Sequence, residues 1–587
     1  MFVLPRLRYL QALPWILAPM LVACAARVDG SKTSGLTLQS HVHAYNPDSD
    51  FTSGISQNRQ RKTCINGDNY QLMLFPKKNL IEVKASLRFH DTSRVICLPA
   101  FGQRFGETFA LRNVRDASGQ VLEVPFDSSG CANLHAHIER LDIGYALEIA
   151  PIDDYHVWLA NSLSPTAFPK FIAFPGEALF IEHGDDASHC THVEVMHDGV
   201  GKTAIFSTLE QMKSDTSLHT DFFAPLPFDL TRAFFVFGDL TTYQASGASD
   251  VRLLLTKDMD TYASIIMKDV LSIIEFYQKW MPQKWPARVS IFVFQNRFDV
   301  HHASGFARPE GIVLQFGREA LLNSTQRRLL IAHELFHLFN GEQFHFDRKA
   351  YARMSWFIEG MTQYLALNAV RTLGLIHENH YRTLLADMVT RMADIEKLPP
   401  DERMKIQNKP YLDGFFLSWM IEQQWRKHGT RTTLEGFWSH LAQTTDWKQP
   451  KTIDWLKNQL ELYSSFNFDA FFSLYVYGNA VIPYQKILMQ GGYCIQPYQL
   501  QKYDSGFQWI FDPTASAYQM ISVAPGSPAE SVGLRAGSYF VPREHTNWKT
   551  SEDKYIRRMT DDGRMQSFRL PTVPVLRDAW DVVRCRP

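Results

Sequence analysis

Two textures divide the chain. From about residue 60 to 245 apolar positions come in short or alternating runs, "NLIEVKASLRF", "YALEIAPI", "HVEVMHD", "TAIFST" and "AFFVFGDL", separated by Gly, Pro, Asp and Asn. That pattern predicts antiparallel strands. Near 255 the period lengthens: "DMDTYASIIMKDVLSIIEFYQKWM" predicts a long helix, followed by the strands "ARVSIFVF" and "EGIVLQFG". Helical patterns then run from 323 to about 475. "NSTQRRLLIAHELFHLFNG" offers Asn323 and Ser324 as caps and Asn340-Gly341 as a stop. "SWFIEGMTQYLALNAVRTLG" is expected to start at a capping Ser355 and end at Gly374, with "YLDGFFLSWMIEQQWRKHG" and "FDAFFSLYVYG" following it. Beyond 490 short strands and turns return around "ISVAPGSPAESVGLRAGSYF". The expected fold is multidomain α+β. It comprises an N-terminal antiparallel β domain (61–250), a mostly helical domain with a small sheet (251–490) and a C-terminal β domain (491–587).

One helix in this pattern is a physical problem. Leu329, Leu330, Ile331, Ala332, Leu335, Phe336, Leu338 and Phe339 place apolar groups almost all round it, so it is buried on most sides. Yet it carries His333, Glu334 and His337 in its middle, and buried polar groups are costly unless something satisfies them. One turn apart, the two imidazoles face the same way and can converge on a zinc ion. Glu334, rotated by one residue, lies beside such a metal, where a base acting on water belongs. A third ligand is required, and Glu359 in "SWFIEGMTQYLA" is the candidate: an acid on a second apolar helix. A helix-start glutamate favoured by the helix dipole is the plain alternative.

These residues carry a resemblance. "HELFHLFN" followed by "WFIEGMTQY" is similar to the glycyl aminopeptidase family of zinc metallopeptidases, relatives of the thermolysin-like and alanyl aminopeptidase groups. The match runs through His333, Glu334, His337, Asn340, Trp356, Glu359, Gly360, Thr362 and Tyr364, with Phe339 in place of the usual tryptophan. The resemblance implies one zinc ion, a peptide substrate and a thermolysin-like catalytic domain between a β domain and a PDZ-like domain. It also implies that Tyr411, in "YLDGFF", donates its hydroxyl to the oxyanion, while Asp413 stands where relatives often have lysine. Relatives carry a Gly-Gly-x-Glu-His type motif whose glutamate holds the substrate's amino terminus. The corresponding region here reads "HHASGFARPEGIVLQFG", so Gly305, Glu310 and Gly311 are its remnants and Glu310 the candidate substrate-binding carboxylate, at altered spacing. His301 and His302 read as exposed loop histidines. "APGSPAESVGLRAG" resembles the turn-and-helix segment of PDZ domains in bacterial peptidases, which implies a peptide or protein ligand there. The expected activity is zinc-dependent aminopeptidase. An endopeptidase of the same chemistry and a non-catalytic envelope peptide-binding protein are the alternatives.

Composition narrows the partners. Sixty basic and 61 acidic side chains in 587 residues leave a net charge of −1, so no broad basic field favours nucleic acid. "MFVLPRLRYLQALPWILAPMLVAC" has basic residues, then an apolar core too short for a comfortable membrane span. Its "LVAC" end resembles the lipobox of bacterial lipoproteins. That implies a signal peptide over 1–23, lipidation of Cys24, a polar tether over 24–60 and an exported, envelope-anchored protein, sorted by analogy to the outer membrane. Plain secretion is the alternative. Six cysteines remain, Cys64, Cys97, Cys131, Cys190, Cys494 and Cys585, an even number that suggests disulfides in an exported chain. Cys494 and Cys585 bracket the C-terminal unit and are expected to pair; 64–97 and 131–190 are the natural remaining pairs. "EHGDDASHCTH" (182–192) reads as a polar loop rather than a metal cluster.

Overall fold

The computed structural model describes residues 67–585 apart from short stretches, among them 90–94, 100–108, 150–165, 184–189, 297–301 and 543–553. The expected signal segment, Cys24, the tether, Cys64 and His301 lie outside the described residues. Among the described residues no helix is long and apolar enough to cross a membrane.

The fold is mixed α+β, sheet-rich at the N-terminal end and helical beyond it. A seven-stranded sheet runs in the order Glu210–Thr216, His219–Ala224, Thr191–His197, Asp68–Phe75, Leu80–Arg88, Arg140–Glu148, Phe109–Asp116. Its strands alternate buried and exposed positions, as in Asp68–Phe75 and Leu80–Arg88, because one face covers a core and the other meets water. The all-antiparallel expectation fails at one place: Asp68–Phe75 pairs in parallel with Thr191–His197. The alternation of apolar residues reports burial of a face and is blind to strand direction.

A four-stranded sheet explains the unbroken run "AFFVFG". Strands Phe171–Pro175 and Phe234–Gly238 are buried along their whole length. Ile172, Phe174, Phe235 and Phe237 join the core of the seven-stranded sheet. The residues between them, Phe171, Ala173, Phe234 and Val236, pack on Leu254, Phe292, Phe294, Phe306 and Val313 of the next region. Phe234 meets Phe292, Phe294 and Phe306 edge-on at centroid separations of 5.5, 6.2 and 5.6 Å. A sheet with two covered faces has no polar face to show.

That next region holds a five-stranded sheet, ordered Leu240–Ser246, Asp250–Thr256, Arg288–Asn296, Gly311–Gly317, Ala303–Arg308. The strand Asp250–Thr256, which starts at the expected 250/251 boundary, pairs with Leu240–Ser246 on one side and Arg288–Asn296 on the other. The long helix Ala263–Gln278 and the helix Ser324–His337 bury their apolar faces in the same large core as this sheet. Ala303–Arg308 lies at the sheet's edge, antiparallel to its neighbour. Helices dominate from 324 to 490.

The C-terminal segment pairs Tyr493–Asp504 with Val573–Arg584, and Cys494 bonds Cys585 as expected. This ladder docks on the helix Glu378–Glu396 through Trp580 N–H to Thr390 Oγ1 at 3.1 Å. A five-stranded sheet beyond it packs around Met520, Ala529, Leu534, Phe540 and Leu570. In the N-terminal region the expected pairs 64–97 and 131–190 give way: Cys97 bonds Cys131, directly opposite it on a neighbouring strand. Cys190 is also disulfide-bonded. Proximity along the chain misassigned these pairs because the sheet sets which cysteines face each other.

Candidate metal centre and active site

The helix Ser324–His337 starts where Asn323 accepts a hydrogen bond from Gln326 N–H. It runs buried through His333 and Glu334, 2 and 3 % exposed. The second helix does not begin at Ser355. Arg348–Ser355 is already helical, and the chain passes through Ser355 into a wider π turn, Trp356–Met361, before Thr362–Thr372 resumes the α form. Glu359 thus sits inside a continuous helix, on a turn of the kind that concentrates at functional sites. The helix-start alternative for Glu359 falls with it.

Asn340 joins the two elements. Its side-chain amide donates to the carbonyls of Phe357 and Ile358 and lies 3.1 Å from Thr362 Oγ1. It thereby satisfies carbonyls that the π turn releases. Its own carbonyl lies 2.8 Å from His337 Nδ1, which sets the proton on Nδ1 and turns Nε2 inward. The two Nε2 atoms stand 2.9 Å apart, and Glu359 Oε2 lies 3.5 Å from His333 and 3.3 Å from His337. These three are the only group of three or more ligand-type side chains brought together among the described residues. Ligands about 2.0–2.1 Å from a tetrahedral zinc stand about 3.3 Å from one another, so the donor set fits that ion in type and spacing. Gln363, fully buried, interacts with His333.

Burial and the neighbouring charges shift each of these groups from its ordinary value. Burial pushes the Glu334 carboxyl up to about 8 and the His333 ring down to about 4. Burial would lower His337 too, but the carboxylates of Glu359 and Glu334 outweigh it and hold the ring at about 9. Burial would raise Glu359; the two imidazoles overcome it and hold the carboxyl at about 2.

Tyr411 arrives from the helix Lys409–Lys427, its ring stacked on His333 at 5.9 Å and its hydroxyl hydrogen-bonded to Glu359. Two glycines permit this approach. A Cβ on Gly414 would lie 1.9 Å from Trp356 O, and one on Gly360 would lie 2.2 Å from Gly414 Cα. Gly414 is the glycine of "YLDGFF", three residues after Tyr411, and the helix crossing is what requires it to lack a side chain. Asp413 is paired with Lys409 on the same helix. Tyr351 also belongs to this neighbourhood: burial, with the Glu359 carboxylate nearby, pushes its hydroxyl well above the usual phenol range.

The strand side is less as expected. Gly305 does line the site, since a Cβ there would lie 2.7 Å from Glu334 Cγ. Glu310 does not: it occupies the hairpin turn with φ 55°, and its half-exposed side chain faces Arg288 at 3.3 Å. The strand's pairing register carries the acid away from the metal. His302 is fully buried, 2.6 Å from Ser304 Oγ, rather than an exposed loop residue. Strand Ala303–Arg308 contains no acidic residue. The charges flanking the centre are instead two ion pairs, Arg308 with Glu177 at 2.9 Å and Arg232 with Glu342.

Two imidazoles and a carboxylate around one point, with a buried glutamate and a tyrosine beside them, form a donor set of the kind that could hold a metal ion. Residues 326–411 match the model of the M61 glycyl aminopeptidase family. This segment contains all of the residues of the candidate metal centre and Tyr411, and the match supports a peptidase. The chain is similar in fold, over most of its length, to an aminopeptidase N family protein from Idiomarina loihiensis. The TM-score is 0.61 at 16% identity, covering 87% of this chain and 98% of that one. It is also similar to an M1 zinc metallopeptidase mutant from Deinococcus radiodurans bound to a Tyr-Ser-Ala substrate, with TM-score 0.48 at 12% identity, covering 70% and 93%. No curated protein matches the chain.

Proposed function

We propose that this chain is a zinc-dependent aminopeptidase whose zinc is held by His333, His337 and Glu359. The observation that carries the reading is the convergence of two Nε2 atoms and one carboxylate oxygen, 2.9 to 3.5 Å apart, in a buried site. Bound there, zinc supplies Lewis acidity and brings the pKa of a water near 7. Glu334 takes the proton from the attacking water and passes it to the departing amine. Its burial suits that shuttle, because an elevated carboxyl both accepts and returns a proton near neutral pH. Tyr411, neutral and stacked on His333, donates to the oxyanion that develops on the substrate carbonyl.

The family match and the fold support the aminopeptidase reading. The absence of an acid on Ala303–Arg308 favours a second one, an endopeptidase of the same chemistry, since a carboxylate facing the ammonium is what confines cleavage to chain ends. Comparing free with N-acetylated peptides separates the two: an aminopeptidase loses the blocked ones. Metal analysis with Glu334→Gln tests the mechanism, the variant keeping one zinc per chain while turnover disappears. Hydrolysis that persists in it removes the base assignment. The residues before 60 support export with lipid attachment at Cys24, and the turn chemistry after 520 supports a PDZ-like peptide-binding unit. Radiolabelled palmitate incorporation that survives Cys24→Ala would rule out the anchor.

A further inference from the structure

The turn that follows the second metal-binding histidine is held from outside the helical region. Asn340, Gly341 and Glu342 leave the helix end, with Gly341 at φ 130° and its N–H bonded to Phe344 O at 2.8 Å. Glu342 N–H returns to His337 O at 3.1 Å. A Cβ on Gly341 would lie 3.7 Å from His337 Nδ1. This turn therefore sets the height and rotation of the His337 ring. Through the Asn340 side chain it also sets the π turn that carries Glu359. Onto it comes one guanidinium from the N-terminal β region: Arg232 Nη1 donates to Gly341 O at 3.3 Å, and Nη2 pairs with the Glu342 carboxylate.

Both partners are buried, their side chains 9 and 8 % exposed. A planar fork engaging a carbonyl and a carboxylate together fixes direction as well as distance. Losing the cation would leave Glu342 as a buried carboxylate without its counter-ion, a costly state relieved by protonation or by movement of the turn. Burial already pushes the Glu342 carboxyl upward. The second pair is reciprocal in polarity. Arg308, on the strand whose Gly305 abuts Glu334, reaches Glu177 of the β region at 2.9 Å. The phenylalanine cluster around Phe234 welds the seam between the two pairs.

We propose that Arg232 is a positioning residue for the metal centre, acting through Gly341 and Glu342 on His337, so that the N-terminal β region completes the active site. This inference rests on the zinc reading above. Its test is zinc affinity of the full-length chain, measured by chelator competition, alongside kcat and KM. Arg232→Met should weaken zinc binding about 10–100-fold, the range of groups that orient metal ligands, and lower kcat at full zinc loading with KM nearly unchanged. Arg232→Lys keeps the charge but cannot fork, and should weaken zinc several-fold. Glu342→Gln should act in the same direction, and the double variant should be little worse than the poorer single one. A folded Arg232→Met chain with wild-type zinc affinity and kcat overturns the proposal. Should that variant fail to fold, unchanged affinity in Arg232→Lys does the same. A wild-type chain that binds no zinc sinks the zinc reading itself, whereas equal binding by wild type and variants sinks only the role of Arg232.

Discussion

The two sides of the reacting centre are built on opposite plans. On the metal side, His333, His337, Glu359 and Tyr411 come from helices within one core, and each is placed by its spacing along a helix or by a glycine crossing. On the strand side, Gly305, Arg308, Arg232, Glu342 and Glu177 come from separate regions, joined by ion pairs between residues 110 and 131 positions apart. The metal side is local and repeats a motif. The strand side is assembled only when two sheets dock. The candidate metal ligands are thus carried by helical rungs, while the ion pairs that brace the turn after His337 and the strand beside Glu334 depend on the seam.

The sharpest break in this comparison is Glu334→Gln, expected to cost about 10²–10⁴ in turnover with zinc retained, read from steady-state rates and metal analysis. Tyr411→Phe should lower kcat about 10²–10³-fold with little change in KM, as for loss of one oxyanion donor. Gly414→Ala should push the two helices apart, costing about 1–3 kcal/mol by denaturant unfolding and at least part of the activity, because Tyr411 retreats from Glu359. The electrostatics of the metal side give a further reading. In the metal-free chain His337, held at about 9, is protonated at pH 7 and must lose that proton to bind metal. Zinc affinity should therefore rise about tenfold per pH unit from 7 towards 9, and calorimetry in buffers of different ionisation enthalpy should show proton release. An affinity flat with pH would contradict the charge state assigned to the site. The smallest effect is expected at Glu310→Gln, within about 0.5 kcal/mol in stability and twofold in activity, since its pair with Arg288 is half exposed.

The metal side was legible because a helix converts sequence spacing into direction. His333 and His337 must share a face whatever surrounds them, and an apolar helix that carries ionisable groups announces a partner. Even there the π turn was hidden: Ser355 looked like a cap, yet the helix runs straight through it. The widened turn is stabilised by Asn340, a residue of the preceding element. The strand side misled in the same physical way. Glu310 has the right chemistry close to the right sequence position, but a hairpin register points it elsewhere. Cys97 and Cys131 likewise meet because they lie opposite each other across strands.

From its residues alone this protein determined which helices are buried, which side chains on them seek a cation, and which end of the chain is sheet. Those properties follow from period and polarity, which act over a few residues. Only the tertiary structure decided that Gly360 and Gly414 let two helices touch, that Arg232 reaches the turn after His337, and which carboxylates lie beside the two imidazoles. Such contacts depend on where separate sheets and helices come to rest, and no local interaction energy along the chain encodes that meeting before it happens.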